Sequence, residues 1–376
     1  MKNKILVISM AAFLIFNAIS CTTAKSSNIN TRDIPSLKEI YKDYFLVGNI
    51  INGMYMRDEY IELITKHFNI VTCENQMKPD NLAPRQRGGQ YNFSGADNFV
   101  NVMAANGIQM HGHTLVWHNQ THAWMFEGTA AQVRQNLVNH INTVMSHYKG
   151  KIFSWDVVNE AINERINPGD QDRDWRTQLR FDSGWYKALG ADYVELAFRT
   201  ARAADPDVKL YYNDYNMNNL RKSQVVANMI KDINDRYKAE GNTRNLIDGI
   251  GFQAHYGLAV SIPNVRESME KFIELGLEIA ISELDVEIRS VGSGRFGTGK
   301  DTTATDAEQR SQALIYAQLF NLFKEYKDHI VRVTMWGLTD EFSWKSLGNP
   351  CLWDGELMPK QAFWAVADPN KALGIK

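Results

Sequence analysis

Two glutamates carry the most chemistry in this chain of 376 residues: Glu160, which closes the run WDVVNE, and Glu283, in IAISELD. Two carboxylates can divide labour. One donates a proton to a departing oxygen while the other, ionised, attacks the electrophilic carbon or activates a water on the opposite face. Cleavage of a glycosidic bond requires that division. A single Glu at such a place is as readily a salt-bridged surface residue, so the argument rests on both occurring together. Other apolar runs also end in groups able to work: Glu74-Asn75, His113, Asn159, Asn213-Asp214, Gln253 with His255, and Trp336. Carboxylates, amides, histidine and tryptophan dominate this inventory, and no G-x-S-x-G elbow supplies a serine nucleophile.

Something must bring these scattered positions together. Eight short apolar runs, at residues 45–48, 68–73, 108–116, 152–158, 209–212, 249–252, 277–281 and 331–335, read as buried parallel strands. Between them lie helical stretches at 130–148, 193–204, 223–239, 265–275 and 307–326. The last of these repeats Leu314, Ala317, Leu319, Phe320 and Phe323 at helical spacing. Strand and helix alternating eight times predict a single α/β domain, a closed (β/α)8 TIM barrel, whose strand ends share one mouth. Glu160 ends the fourth strand and Glu283 the seventh, so they would face each other across it. Two irregular stretches, 163–185 and 289–305, fall on the same face.

The 41 Lys plus Arg against 43 Asp plus Glu leave a net charge of -2, which offers no basic stripe for nucleic acid. No G-x-G-x-x-G follows the first strand and no G-x-x-x-x-G-K-[ST] occurs, so dinucleotide and nucleoside triphosphate sites are not expected. Residues 1–21 differ from the rest: Lys2 and Lys4 precede an apolar run over 5–16, and Ala18-Ile19-Ser20 leads to Cys21. That pattern predicts a cleaved export signal. The run is too short for a membrane span of about 20 residues. Cys21 after small residues resembles a bacterial lipoprotein site, although Ala18 stands where Leu is usual. Residues 22–34 read as a polar tether and 35–376 as the catalytic domain. Cys73 and Cys351 lack C-x-x-C spacing and suggest neither a zinc nor a redox motif.

Seven segments occur in an order that resembles glycoside hydrolase family 10, the (β/α)8 endo-β-1,4-xylanases: ENQMK from Glu74, HGHTLVWHNQ from His111, WDVVNE from Trp155, YNDYN from Tyr212, GFQAHY from Gly251, ISELD from Ile281 and WGLTDEFSW from Trp336. The resemblance runs from about residue 37 to 367. It implies endo-acting, retaining hydrolysis of xylan and xylo-oligosaccharides, with Glu160 as acid/base and Glu283 as nucleophile, their carboxyls about 5–5.5 Å apart. It also implies His255 and Asp285 as groups orienting the nucleophile. Substrate contacts follow at Glu74, Asn75, Lys78, His113, Trp117, Gln120, Asn159, Gln253, Trp336 and Trp344, with Trp344 crowding the space of a hexose hydroxymethyl group. Trp155 and Trp364 are expected in the core. No cofactor and no metal are expected, and a monomer is. The only membrane association expected is an N-terminal lipid anchor, in the outer membrane of a bacterium, periplasmic or at the cell surface.

The sequence departs from the family at Thr121-His122, where a Pro is common, at Gln361, where a second Pro is usual, and at Cys351, where the residue is usually aliphatic; these changes touch loop shape, not catalytic groups. Three other readings compete. The runner-up is a β-1,4-glucanase or mixed enzyme. A metal-dependent barrel hydrolase could use His111, His113 and His118, since alternate strand residues share a face. A non-catalytic glycan-binding protein would not need both Glu160 and Glu283.

Overall fold

The computed structural model describes residues 33–289 and 304–375. The expected export signal, Cys21 and nearly all of the tether lie outside the described residues, as does most of the stretch 289–305. Eight strands form the core: β1 (Leu46–Ile51), β2 (Ile70–Cys73), β3 (Gln109–Trp117), β4 (Ser154–Asn159), β5 (Lys209–Asp214), β6 (Gly249–Phe252), β7 (Glu278–Glu287) and β8 (Ile330–Met335). Each is parallel to its neighbours, and β8 returns to β1 with Val333 opposite Val47, which closes the ring. A short additional strand, His255–Gly257, leaves the end of β6 and pairs with β7, setting His255 opposite Asp285.

Each barrel strand is followed by a helix: α1 (Asp58–His67), α2 (Ser94–Ala105), α3 (Ala130–Tyr148), α4 (Asp192–Ala204), α5 (Leu220–Ala239), α6 (Ile262–Glu274), α7 (Asp306–Glu325) and α8 (Gln361–Ala367). The local reasons are readable. Thr129 caps α3 and Gln132 reaches back to it, and Thr305 and Glu308 form the same reciprocal box on α7. All six residues of β4 are buried, the polar Ser154, Asp156 and Asn159 included, since each has a hydrogen-bond partner at His111, His113 or Asn213. Close approach demands glycine at positions that include Gly112 and Gly251. A Cβ on Gly112 would lie 2.1 Å from the Trp155 ring, and one on Gly251 would lie 2.2 Å from Asn213 Oδ1, which is a mouth residue.

Several expectations need correction. The seventh strand does not stop at Ile281 but runs to Glu287. In its second half Ser282, Glu283, Asp285 and Glu287 are polar yet buried, because Asn213, His255, Trp344 and Lys345 from other elements pair with them inside the mouth. Trp364 is 43% exposed and Leu314 44%, so neither belongs to the core, whereas Trp155 does. The reason is close packing of α7 on α8 through Ala313, Ala317 and Ala365, which turns the adjacent large residues outward. The stretch 163–185 is not irregular throughout. It contains two 3₁₀ turns, Asp170–Asp172 and Trp175–Gln178, and the start of a short helix, Gly184–Leu189. Cys73 and Cys351 are both buried and unpaired.

Candidate active site

The C-terminal strand ends bring together most of the polar groups singled out above. Glu160 follows the last residue of β4 with φ of 55°, in the left-handed region that non-glycine residues seldom adopt. Its backbone N–H still donates to Asn213 O at 2.9 Å, so the bend is anchored to β5. Such strain persists only where surrounding contacts over-determine it. Both carboxylate oxygens receive donors: Trp117 Nε1 reaches Oε2 at 2.9 Å, and Gln253 Nε2 and Asn159 Nδ2 reach Oε1 at 2.9 and 3.4 Å. The side chain keeps 14% exposure, an opening toward the mouth.

Glu283 lies deeper, with 6% of its side chain exposed. It sits where the pairing of β7 with β8 slips between Ile281 and Leu284, an irregularity of the kind that re-aims side chains beside active sites. Asn213 Nδ2 donates to Oε1 at 2.8 Å, and His255 Nε2 lies 3.1 Å from Oε2. The other nitrogen of His255 is 2.8 Å from Asp285 Oδ2. Burial opposes charge on this ring, but the two flanking carboxylates prevail and raise its pKa to about 9. At neutral pH His255 is an imidazolium donating to both acids. Burial alone would raise the Glu283 carboxyl; His255, with His113 and Asn213, holds it below the usual glutamate value. Asp285 is likewise held low against burial by His255, Lys345 and Trp344.

A group whose pKa is higher in the folded state stabilises the fold below its unfolded value near 6.5 and loses that effect as pH rises through 9. We therefore expect His255→Asn to cost about 3 kcal/mol at pH 6. The deficit shrinks steadily between pH 6.5 and 9. Urea midpoints of both proteins across pH 5–10 check this; a pH-independent gap contradicts it.

A line of amides joins the two acids. Asn159 Oδ1 accepts from Asn213 Nδ2 at 3.0 Å and from Gln253 Nε2 at 3.2 Å, so the partners of Glu283 and Glu160 share one acceptor. On another wall Lys78 Nζ donates to Gln120 Oε1 at 2.9 Å and Asn75 Oδ1 at 3.1 Å, and lies 5.1 Å from the centre of the Trp117 ring. Burial lowers the pKa of Lys78, opposed by Glu283, Glu74 and Glu160. Glu74 accepts from Asn52 Nδ2 at 2.8 Å, and burial raises its pKa. Trp336 packs edge-on against His113, and Trp344 Nε1 donates to Asp285 Oδ2 at 3.0 Å.

The histidines of β3 are committed elsewhere. His113 Nδ1 lies 2.9 Å from Asp156 Oδ2. His111 Nε2 is enclosed by Arg332, fully buried on β8, at 2.9 Å and by Asp156 Oδ2 at 3.0 Å, and its Nδ1 lies 2.7 Å from Ser154 Oγ. A cation approaching that nitrogen would meet the Arg332 guanidinium, which argues against the metal-hydrolase reading. His118 Nε2 stands 4.0 Å from Glu160 Oε2.

Sequence reasoning passed over several groups. Asn213 was visible at a strand end, but nothing in its spacing showed that it bonds Glu283. Arg180 Nε donates to Glu160 O at 3.3 Å from 20 residues away. Lys345 pairs with Asp285 at 3.3 Å and with Glu287. Beneath Asn213, Lys222 and Asp214 form a fully buried ion pair at 2.7 Å. Breaking such a pair strands a charge, so Lys222→Met is expected to lose about 3–5 kcal/mol of stability. Adding Asp214→Asn recovers part of it; equal urea midpoints for the single and double variants contradict this account.

The model of glycosyl hydrolase family 10 matches residues 36–369. The chain is 39% identical over 352 residues to endo-1,4-beta-xylanase A of Thermotoga maritima, covering 90% of this chain and 31% of that protein. It is 36% identical over 351 residues to endo-1,4-beta-xylanase B of Paenibacillus barcinonensis, covering 89% of this chain and 98% of that one. Among solved structures it is similar, with a TM-score of 0.83 and 38% identity, to a bacterial Ig-like domain-containing GH10 xylanase from termite gut, covering 91% of this chain and 78% of that one. The chain spans less than a third of the length of several relatives it matches.

Proposed function

The chain belongs to glycosyl hydrolase family 10, and from that premise we propose that it is an endo-1,4-β-xylanase working by retaining double displacement. The observation that carries the mechanism is the unequal treatment of two linked carboxylates: Glu283 is buried against an imidazolium, whereas Glu160 opens to the mouth and is held by neutral N–H donors. Glu283 attacks the anomeric carbon as the glycosidic bond breaks, and the departing oxygen takes its proton from Glu160. Glu160, now ionised, takes a proton from water, whose oxygen displaces Glu283 and restores both groups. Asn159 and Gln253 are placed to bond the hydroxyl beside the reacting carbon, an interaction that gains strength as charge develops there. Trp336 and Trp344 supply apolar faces, and Asn75, Lys78, His113 and Gln120 supply polar edges.

Proton NMR of residues 22–376 with linear β-1,4-xylohexaose tests the reading. Internal cleavage with β-anomer appearing first supports it. Early α-anomer removes the nucleophile role from Glu283, and cleavage of cello-oligosaccharides at a comparable rate replaces xylan specificity with a mixed activity.

A further inference from the structure

The loop that leaves the barrel from Glu160 carries a large exposed aromatic residue, Phe181, 70% accessible. It lines a cavity of about 660 Å³ with Asn163, Glu164, Arg165, Thr177 and Arg180. Arg165 and Glu164 make no side-chain hydrogen bond or ion pair among the described residues. An aromatic face ringed by amide, hydroxyl and charged edges suits a sugar ring, which offers C–H groups on its faces and hydroxyls at its rim.

The loop is held in place on three sides. Ile162 and Leu179 form an antiparallel bridge, and Arg180 N donates to Ala161 O at 2.7 Å, so Phe181 follows a residue tied to the backbone beside the acid. Trp175 Nε1 and Arg176 Nη2 both reach Asp232 on α5, at 2.9 and 2.8 Å. Trp185 Nε1 donates to Trp117 O at 3.1 Å, tying the far end to β3. A platform fixed before the ligand arrives loses little entropy on binding.

We propose that Phe181 and the polar rim around it form a sugar-binding platform for the departing part of the polysaccharide, beyond the sugars that flank the scissile bond. The inference rests on the xylanase reading. Glu160 must face the oxygen that leaves, and the loop rising directly from it meets the chain attached to that oxygen. No element of the mouth described above depends on Phe181, so its replacement leaves the acids untouched.

The test uses the full chain and its Phe181→Ala and Phe181→Trp variants. Substrates are 4-nitrophenyl β-xylobioside, which ends before the platform, and xylohexaose hydrolysed in ¹⁸O-water so that mass spectrometry assigns the bond cut. Phe181→Ala is expected to raise KM for xylohexaose about three- to tenfold and to move the preferred cut toward the reducing end. Activity on the aryl xylobioside stays within about twofold of the parent, and Phe181→Trp behaves like the parent. If the parent cleaves xylohexaose and Phe181→Ala matches it in KM and cleavage pattern, the platform is refuted while the xylanase reading stands. A shift of the cut toward the non-reducing end refutes the assignment to the departing part. If the parent leaves xylohexaose intact, the xylanase reading falls and this inference with it.

Discussion

Glu283→Ala is expected to lower hydrolysis of xylohexaose by on the order of 10⁴- to 10⁶-fold, about 5.5–8 kcal/mol of transition-state stabilisation. On the proposed mechanism no covalent intermediate can form without the carboxylate, and the remaining groups named at the mouth offer binding but no second nucleophile on that face. The fold survives the change because Asp285 still accepts from His255 at 2.8 Å and so keeps the imidazolium partnered. The truncated side chain leaves space beside Asn213 Nδ2 and His255 Nε2, two donors suited to a small anion. Azide supplied there attacks the anomeric carbon directly. With an activated aryl β-xylobioside, activity returns and the product is the α-azide. Recovery of the β-azide instead assigns Glu283 to the acid/base role.

Glu160→Ala separates the two steps of the reaction. On xylohexaose, whose leaving oxygen needs a proton, the rate falls by about 10²- to 10⁴-fold, the usual worth of a positioned acid. On 2,4-dinitrophenyl β-xylobioside the departing phenolate needs no proton, so the first step stays fast and the glycosyl-enzyme accumulates as a burst. Azide then intercepts that intermediate from the face Glu160 serves and yields the β-azide, the opposite anomer from the Glu283 variant. Equal losses on both substrates, or an α-azide product, remove Glu160 from the acid/base role. The two variants are informative as a pair, because exchange of the two azide outcomes exchanges the two assignments.

Both variants depend on surroundings that differ in how they arise. Trp117 and Gln253, which hold Glu160, and His255, which holds Glu283, are each in a motif visible in the chain. The bend that aims Glu160, with φ of 55°, and the slip in pairing that places Glu283 have no such signature. Their causes are contacts between strands far apart in sequence, among them the bond from Glu160 N to Asn213 O.

The order of elements was legible from the chain alone, since burial on both faces forces parallel strands to be apolar and the intervening helices to carry one apolar side. The choice of Glu160 and Glu283 as the candidate acids rested on where those runs end. Local polarity misled at the second half of β7, where the polar residues are buried by pairing with Asn213, His255, Trp344 and Lys345 from other elements and not by being apolar. It misled again at Trp364, where small residues on the facing helices decide which side is core. What only the tertiary structure decided is the electrostatic state of the mouth: an imidazolium at His255 between two carboxylates, Lys345 beside Asp285, Arg332 under His111, and a fixed loop that leaves Phe181 exposed. The physical reason is that hydrogen bonds and charge pairs act over a few ångströms, and only closure of the barrel brings residues 20 to more than 200 positions apart within that range.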